Sequence, residues 1–410
     1  MPSLCGWPSL AFALTLTSMA KRVFASVKPE LLVWARQSAG YSIDAAATTL
    51  KLAPDTINAW ETGADAPSVP QLRNLAGLYR RPLAVFYLQE VPRQFQVLSD
   101  FRMSSGAPRE YSPALTQEIE QAHSRRELML ELAEDLNDPV PEFQFRLSTQ
   151  DPEKAGEEIR RFLEVPVDST VHFGGDATGR LGLNTWRMAI ERKGVLVFQS
   201  SRIATEEASG FALAYDHAPV IVINRKDVPQ RRLFSLLHEF AHVSLRESGV
   251  SDLEIVRDAP AGRNIELICN SIAASALMPE GALLTSWQEA IGLQKRISDD
   301  AIARVSKRFG VSRPALLLRL VNAKWLSWDF YFETVARFHA EYEQQKGANQ
   351  LPARSMKRNI PQESLSDLGR PFVGIVLDNY HQRNLTLADV AGYLGIRVKH
   401  VQALERRLEG

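Results

Sequence analysis

The sequence predicts a mainly α chain with a small antiparallel β-sheet (α+β), built as an N-terminal helical bundle, a central region that holds the sheet, and a helical C-terminal region. Three observations carry this. Helical periodicity with capping residues runs through residues 28–91 and returns through the C-terminal third. Between them lie three short strand-like runs, residues 195–199, 210–215 and 220–224, where Phe211, Leu213 and Tyr215 alternate with small residues. The length of 410 residues asks for more than one core, at roughly one per 150 residues.

Composition narrows the class further. Hydrophobic content of 45% and charged content of 23% are those of a globular chain, not a disordered or fibrous one. Lys plus Arg and Asp plus Glu number 48 each, so any nucleic-acid binding must come from a local patch. Two cysteines, Cys5 and Cys269, exclude a disulfide framework and point to a reducing compartment. No run of about 18 apolar residues predicts a membrane span. Residues 10–16 loosely imitate a signal peptide, but no basic residue precedes them. Met19, followed by Lys21 and Arg22, reads as the natural start, and residues 1–27 as an extension without stable structure.

Residues 28–91 read as a helix-turn-helix bundle. Leu31, Leu32 and Ala35 share a face of a first helix, Gly40 stops it, and Ser42 caps a second. Pro54 suits the first turn of a third helix that ends at Gly63. Ile57-Asn58-Ala59-Trp60-Glu61-Thr62-Gly63 with Pro67-Ser68, and the small Ala47, resemble the phage-repressor (XRE) helix-turn-helix family. The resemblance implies binding of double-stranded DNA, with residues 54–62 in the major groove and Asp55, Thr56 and Asn58 facing bases. Ile57 and Trp60 read as core. From Lys21 to Arg93 nine cations face six anions, a net of only +3, and Asp55 would repel phosphate. The plainer alternative is a helical module used for dimerisation, with a second copy of the chain as partner, or for protein docking.

Residues 92–150 read as a linker, with Phe101-Arg102 inside it, and a long charged helix over 112–136. Helices follow over 152–163 and 177–193, then the three strands, then a helix over 230–245. Further helices are predicted over 299–309, 312–322 and 386–408, the last broken at Gly395.

The chemistry lies in His238-Glu239-Phe240-Ala241-His242. Histidines at i and i+4 project from one helix face, close enough to share a tetrahedral ion. The intervening Glu239 sits beside the ion without ligating it, where it can take a proton from water and pass it to a leaving amine. Leu236, Leu237, Val243 and Leu245 make the helix largely apolar, and buried histidines with a carboxylate need a partner. A core histidine pair bonded to backbone is the bland alternative. Glu266, in a second helix rich in small residues, supplies a third ligand, and two histidines plus a downstream glutamate form the gluzincin set for a catalytic Zn²⁺. Cys269, one turn on, is the rival ligand; it also fits as a small packed residue.

Asn224, Arg231, His238, Glu239, His242, Glu266, Asn270, Ala273, Ala274, Leu277, Met278 and Pro279 together resemble the ImmA/IrrE family of zinc metallopeptidases. Ile272 departs from that family's pattern, which favours an aromatic before the Ala-Ala pair. The resemblance covers roughly residues 30–320. It implies a gluzincin-like metallopeptidase domain over 151–325 and a cytoplasmic protease that cleaves a repressor-type protein in transcriptional or stress control. The rival reading is a non-proteolytic regulator that keeps the fold as a sensor or dimerisation domain.

Three secondary expectations complete the reading. Asn270 is placed to orient Glu266, and Tyr215 or His217 to stabilise an oxyanion, although a surface aromatic and a turn histidine are the simpler view. Substrate is expected to extend along residues 210–215 as an edge strand. Residues 326–410 form a helical C-terminal domain of unassigned role, and its apolar faces at 385–390 and 398–408 are expected to restrict entry to the metal site.

Overall fold

The computed structural model describes residues 24–92, 111–167, 179–246, 249–251, 264–292, 297–348 and 358–409. It separates into two compact units that divide after Phe95. The signal-like run, Met19, Cys5 and the Phe101-Arg102 linker lie outside the described residues.

The first unit consists of α1 (Pro29–Ser38), α2 (Ile43–Leu50), α3 (Pro54–Thr62), α4 (Val69–Tyr79) and a short 3-10 turn at Leu83–Tyr87. Each helix start has a local cause. Pro29 and Pro54 stand in first turns, where a missing N–H costs nothing. Ser42 Oγ accepts from the Ala45 N–H, and Ser68 with Gln71 forms a capping box. Gly63 ends α3 at φ +77°, a left-handed conformation that favours glycine. Leu32, Ala35, Ala46, Ala47, Ile57, Trp60, Leu72 and Leu75 make the core. Arg36 holds α1 against α3 through paired bonds of 2.7 and 2.8 Å to Glu61. The extension expected over residues 1–27 needs correction at its end. Phe24 bridges to Ser68, and the Ala25 N–H donates to Pro67 O at 2.8 Å, because Ala25 and Val27 bury apolar surface against this core.

The second unit begins with α5 (Pro113–Asp135), α6 (Pro152–Leu163) and α7 (Arg180–Arg192). Strands β1 (Leu196–Ser200), β2 (Gly210–Leu213) and β3 (Val220–Asn224) lead to α8 (Pro229–Leu245) and β4 (Gly249–Ser251). The other described helices are α9 (Asn264–Leu277), α10 (Glu280–Ile291), α11 (Asp299–Phe309), α12 (Arg313–Asn322), α13 (Trp328–Ala348), α14 (Ile360–Leu368), α15 (Arg370–His381), α16 (Leu387–Tyr393) and α17 (Val401–Glu409). No single described helix is long and apolar enough to cross a membrane.

The sheet has the order β1-β3-β2-β4 and is mixed. A short turn makes β2 and β3 antiparallel neighbours, Gly210 opposite Ile223. The longer connection after β1 lets that strand take the far side of β3, where it runs parallel, Leu196 opposite Val220. β4 pairs antiparallel with β2, so residues 210–212 are interior and not the expected edge strand for substrate.

Strand alternation sorts the side chains to two faces. Val197, Ala212, Ile221 and Ile223 join the core under α8 and α9. Leu196, Phe198, Phe211, Leu213, Val220 and Val222 join a second core with Leu115, Ile119 and Leu132 of α5 and Phe372, Val376, Val390 and Leu404 of the C-terminal helices. The long helix is therefore part of this unit's packing, not a free linker. Val390 and Leu404 of the C-terminal faces are buried in this second core, on the side of the sheet away from α8. This corrects the expectation that they restrict entry to the metal site: Val390 and Leu404 are buried in the other core, while Leu387 and Val398 of the same stretches stay exposed. The seam is also polar, since Ser366 O accepts from Gln199 Nε2 at 2.9 Å and Arg225 pairs with Asp367 at 2.8 Å.

Candidate metal centre

α8 is buried on nearly all sides because Leu233, Leu236, Leu237, Phe240, Ala241 and Val243 cover most of its circumference. That places His238 and Glu239 at 0% exposure and His242 at 2%. α9 lies against α8 through Cys269, Ile272, Ala273 and Ala276, all fully buried. The small residues shorten the approach, and Glu266 in the first turn of α9 arrives at both imidazoles.

His238 Nε2 lies 3.1 Å from Glu266 Oε2, His242 Nε2 lies 3.3 Å from Glu266 Oε1, and the two Nε2 atoms are 3.1 Å apart. One donor atom from each residue falls within 4.8 Å of the others. Ligands at Zn–N distances of 2.0–2.1 Å on a tetrahedron are separated by about 3.3 Å; the 3.1 Å between the two Nε2 atoms is close to that spacing, and Glu266 brings one oxygen to each imidazole. A hydrogen-bonded triad fits less well. If both Nε2 atoms carry hydrogens for Glu266, two donors confront each other at 3.1 Å. A cation that takes all the lone pairs removes the conflict, and the donor set suits one.

The electrostatics agree. Burial opposes ionisation of Glu266, yet the two imidazoles against its oxygens outweigh it and hold the carboxyl down at about 2, as an anionic ligand requires. Burial likewise pushes the His238 imidazole below its ordinary value, which Glu266 only partly offsets, so it favours the neutral form that can donate a lone pair. Asn270 stands one turn after Glu266 on α9, next in the helix to the ligand that it was expected to orient. Cys269 belongs to the apolar core and not to the donor cluster.

Glu239 has a neighbour that sequence reasoning missed. A Cβ on Gly210 would come 3.0 Å from Glu239 Oε1 and 2.8 Å from Val222 O, so a glycine is what lets the sheet close over this carboxylate. The lone glycine before a Phe-Ala-Leu strand was the available signal. The resemblance-derived Asn224 and Arg231 shape the approach to Gly210. Asn224 Nδ2 donates to Ile203 O and Ala208 O, and Arg231 reaches Ser209 Oγ at 2.9 Å.

The oxyanion roles considered for Tyr215 and His217 are corrected. Tyr215 packs with the core on the other face of the sheet, its hydroxyl 2.9 Å from His123 Nδ1, and Arg126 stacks 3.9 Å over its ring. His217 Nδ1 is 2.9 Å from Val140 O in the turn. Period-two alternation puts Tyr215 with Phe211 and Leu213, away from α8. In the first unit, Asp55 and Asn58 are exposed and Thr56 is half-buried on α3, while Ile57 and Trp60 are buried.

Residues 190–321 match the IrrE N-terminal-like domain family, and residues 32–86 match a helix-turn-helix family. The chain is 36% identical over 108 residues to the radiation response metalloprotease IrrE of Deinococcus radiodurans. That stretch is 25% of this chain and 31% of the relative, so the chain spans about a third of the relative's length. The protein thus joins an N-terminal helix-turn-helix domain to an IrrE-like metallopeptidase domain.

Proposed function

We propose that the chain is a zinc-dependent endopeptidase that cuts a repressor-type protein in the control of transcription, in a reducing, cytoplasmic setting. The observation that carries the reading is the convergence of His238, His242 and Glu266, their ligand atoms within 4.8 Å of one another, with the carboxylate of Glu239 buried on the same helix as the histidines. Zinc bound there would act as a Lewis acid toward a peptide carbonyl and would acidify a water. Glu239 accepts that water's proton and returns it to the leaving amine, a role that suits a carboxylate one residue from a ligand and screened from solvent. His238 and His242 would hold the ion through their Nε2 atoms, and Asn270, one turn after Glu266, is placed to orient that third ligand. A domain kept only for its shape has no use for a carboxylate fully buried beside a metal-ligating histidine. The name of the relative, a radiation response metalloprotease, supports peptide hydrolysis and a stress setting.

The helix-turn-helix domain gives the chain a capacity for double-stranded DNA. In this reading α3 enters the major groove and presents Asp55, Thr56 and Asn58. Its part is to bring the peptidase to repressors on or near their operators.

The test uses purified helix-turn-helix repressors of the same organism, beginning with any encoded next to this chain. The zinc-loaded full chain is expected to cut one of them. Glu239→Gln should keep its zinc and its melting temperature and lose cleavage by about 10²–10⁴-fold, because an amide cannot take the proton. Equal cleavage by the variant would remove Glu239 as the base. A zinc-loaded wild type that binds operator DNA and cuts nothing would favour the non-proteolytic regulator.

A further inference from the structure

The helix that carries Glu266 is gripped at its far end. Gly156 of α6 lies so close to α9 that a Cβ there would come 2.8 Å from the Ala276 nitrogen and 2.9 Å from the Ser275 carbonyl carbon. The two helices therefore touch backbone to backbone. Arg160, one turn further along α6 and only 5% exposed, donates to Ala276 O and, at 2.9 Å, to Pro166 O, with the Trp186 ring 5.1 Å away. Glu153, one turn before Gly156, accepts from Ser275 Oγ at 2.9 Å and pairs with Arg319, whose Nε reaches Met278 O at 3.3 Å. Two guanidiniums thus meet the last carbonyls of α9, at the negative end of the helix dipole. Burial pushes the Arg160 pKa down to about 10, so the side chain stays charged near neutrality.

We infer that Glu153, Gly156 and Arg160 of α6, with Arg319, are positioning residues for the third metal ligand: they fix the pose of α9 so that Glu266 stays at the two histidines. This rests on the metal-centre reading above. Glu266 and Ala276 are ten residues apart, about 15 Å along the helix. A tilt of about 10° pivoting at Ala276 would carry Glu266 sideways by roughly 2.6 Å over that length. Metal–ligand distances tolerate only about 0.2 Å. Three of these four residues lie outside the 190–321 region of family similarity, so nothing in that match assigns α6 this part.

Zinc affinity of the full chain, measured by competition with a chromophoric chelator, tests the inference without reference to catalysis. Arg160→Met keeps the bulk and loses the donors, and it should weaken zinc binding by about tenfold, in the range seen for residues that orient ligands. Arg160→Lys should restore part of the loss. Ile159→Ala, a buried apolar truncation on the same helix, serves as the control. It should lower the melting temperature of the metal-free chain and leave zinc affinity within about twofold, since it removes apolar packing and leaves the polar contacts to the end of α9 in place. Should Arg160→Met fail to fold, Glu153→Gln carries the test, because that side chain is 36% exposed and the fold should tolerate the change. Arg160→Met and Glu153→Gln that bind zinc as tightly as wild type would overturn the inference. So would equal losses of zinc affinity in Arg160→Met and Ile159→Ala that simply follow lost stability. A wild-type chain that takes up no zinc would overturn the metal-centre reading itself, and this inference with it.

Discussion

On one face of the sheet Gly210 and Ala212 lie beneath α8, and on the other Phe198 and Phe211 lie beneath α5 and the C-terminal helices. The strands are the same and the two surfaces do opposite work. The first must leave room for His238, Glu239 and His242, all buried, so its strand residues are small where the polar groups stand. Small residues and buried polar groups stabilise weakly or at a cost. The second face carries no metal-ligating cluster and is filled mainly by apolar side chains, with Asn379 Nδ2 bonded to Leu132 O among them. Each fully buried Phe or Leu there contributes about 1.5–3 kcal/mol. The comparison teaches that the polar centre is tolerated because the opposite face is apolar, and that the segments outside the peptidase-like match are half of the fold that holds it.

If that division of labour is right, removing the second face should be the harshest change. A chain ending at Asn322 loses α13 to α17 and uncovers Phe198, Phe211 and Val222. It is expected to aggregate or to lack a cooperative melting transition, not to cleave faster, as release from an autoinhibitory segment would require. A soluble, zinc-loaded truncation with a sharp melt would break the comparison. Phe372→Ala is the local version. Phe372 is fully buried and packs edge-on to Phe198 at 5.8 Å between ring centroids. It should cost about 3–5 kcal/mol of stability in denaturant titrations, with zinc stoichiometry unchanged. The smallest effect is expected on the first face. Gly210→Ala brings a methyl against Glu239 and Val222 O, and should cost about 1–3 kcal/mol from overpacking. Its signature is lower cleavage at full zinc occupancy; a variant as active and stable as wild type would show that the close approach is not needed.

How much of this was legible in the sequence follows the range of the interactions involved. The donor set was readable because His238 and His242 stand at helical spacing and Glu266 opens a helix whose small residues announce close packing. Helices capped by Ser42, Ser112 and Ser312 were readable for the same local reason. The sheet's parallel pair was not, since direction depends on which side of β3 the earlier strand takes. β4 is three residues long and offers no alternation to detect. The misplacement of Tyr215 was avoidable, because its alternation with Phe211 and Leu213 already assigned it to one face. The C-terminal helices displayed apolar stripes that needed burial, and an amphipathic pattern does not say against which surface. The grip of α6 on the end of α9 is a contact between residues more than a hundred positions apart, and only Gly156 within a helix hinted at it.

The most direct measurement is the zinc content of the purified full chain beside that of His242→Ala, by elemental analysis after dialysis against a weak chelator. Three protein ligands on one ion account for one zinc per wild-type chain. The variant, with two ligands left, should retain little of it while keeping its helical content. Undiminished zinc in His242→Ala, or a wild type that binds none, would contradict the metal centre on which the functional reading stands.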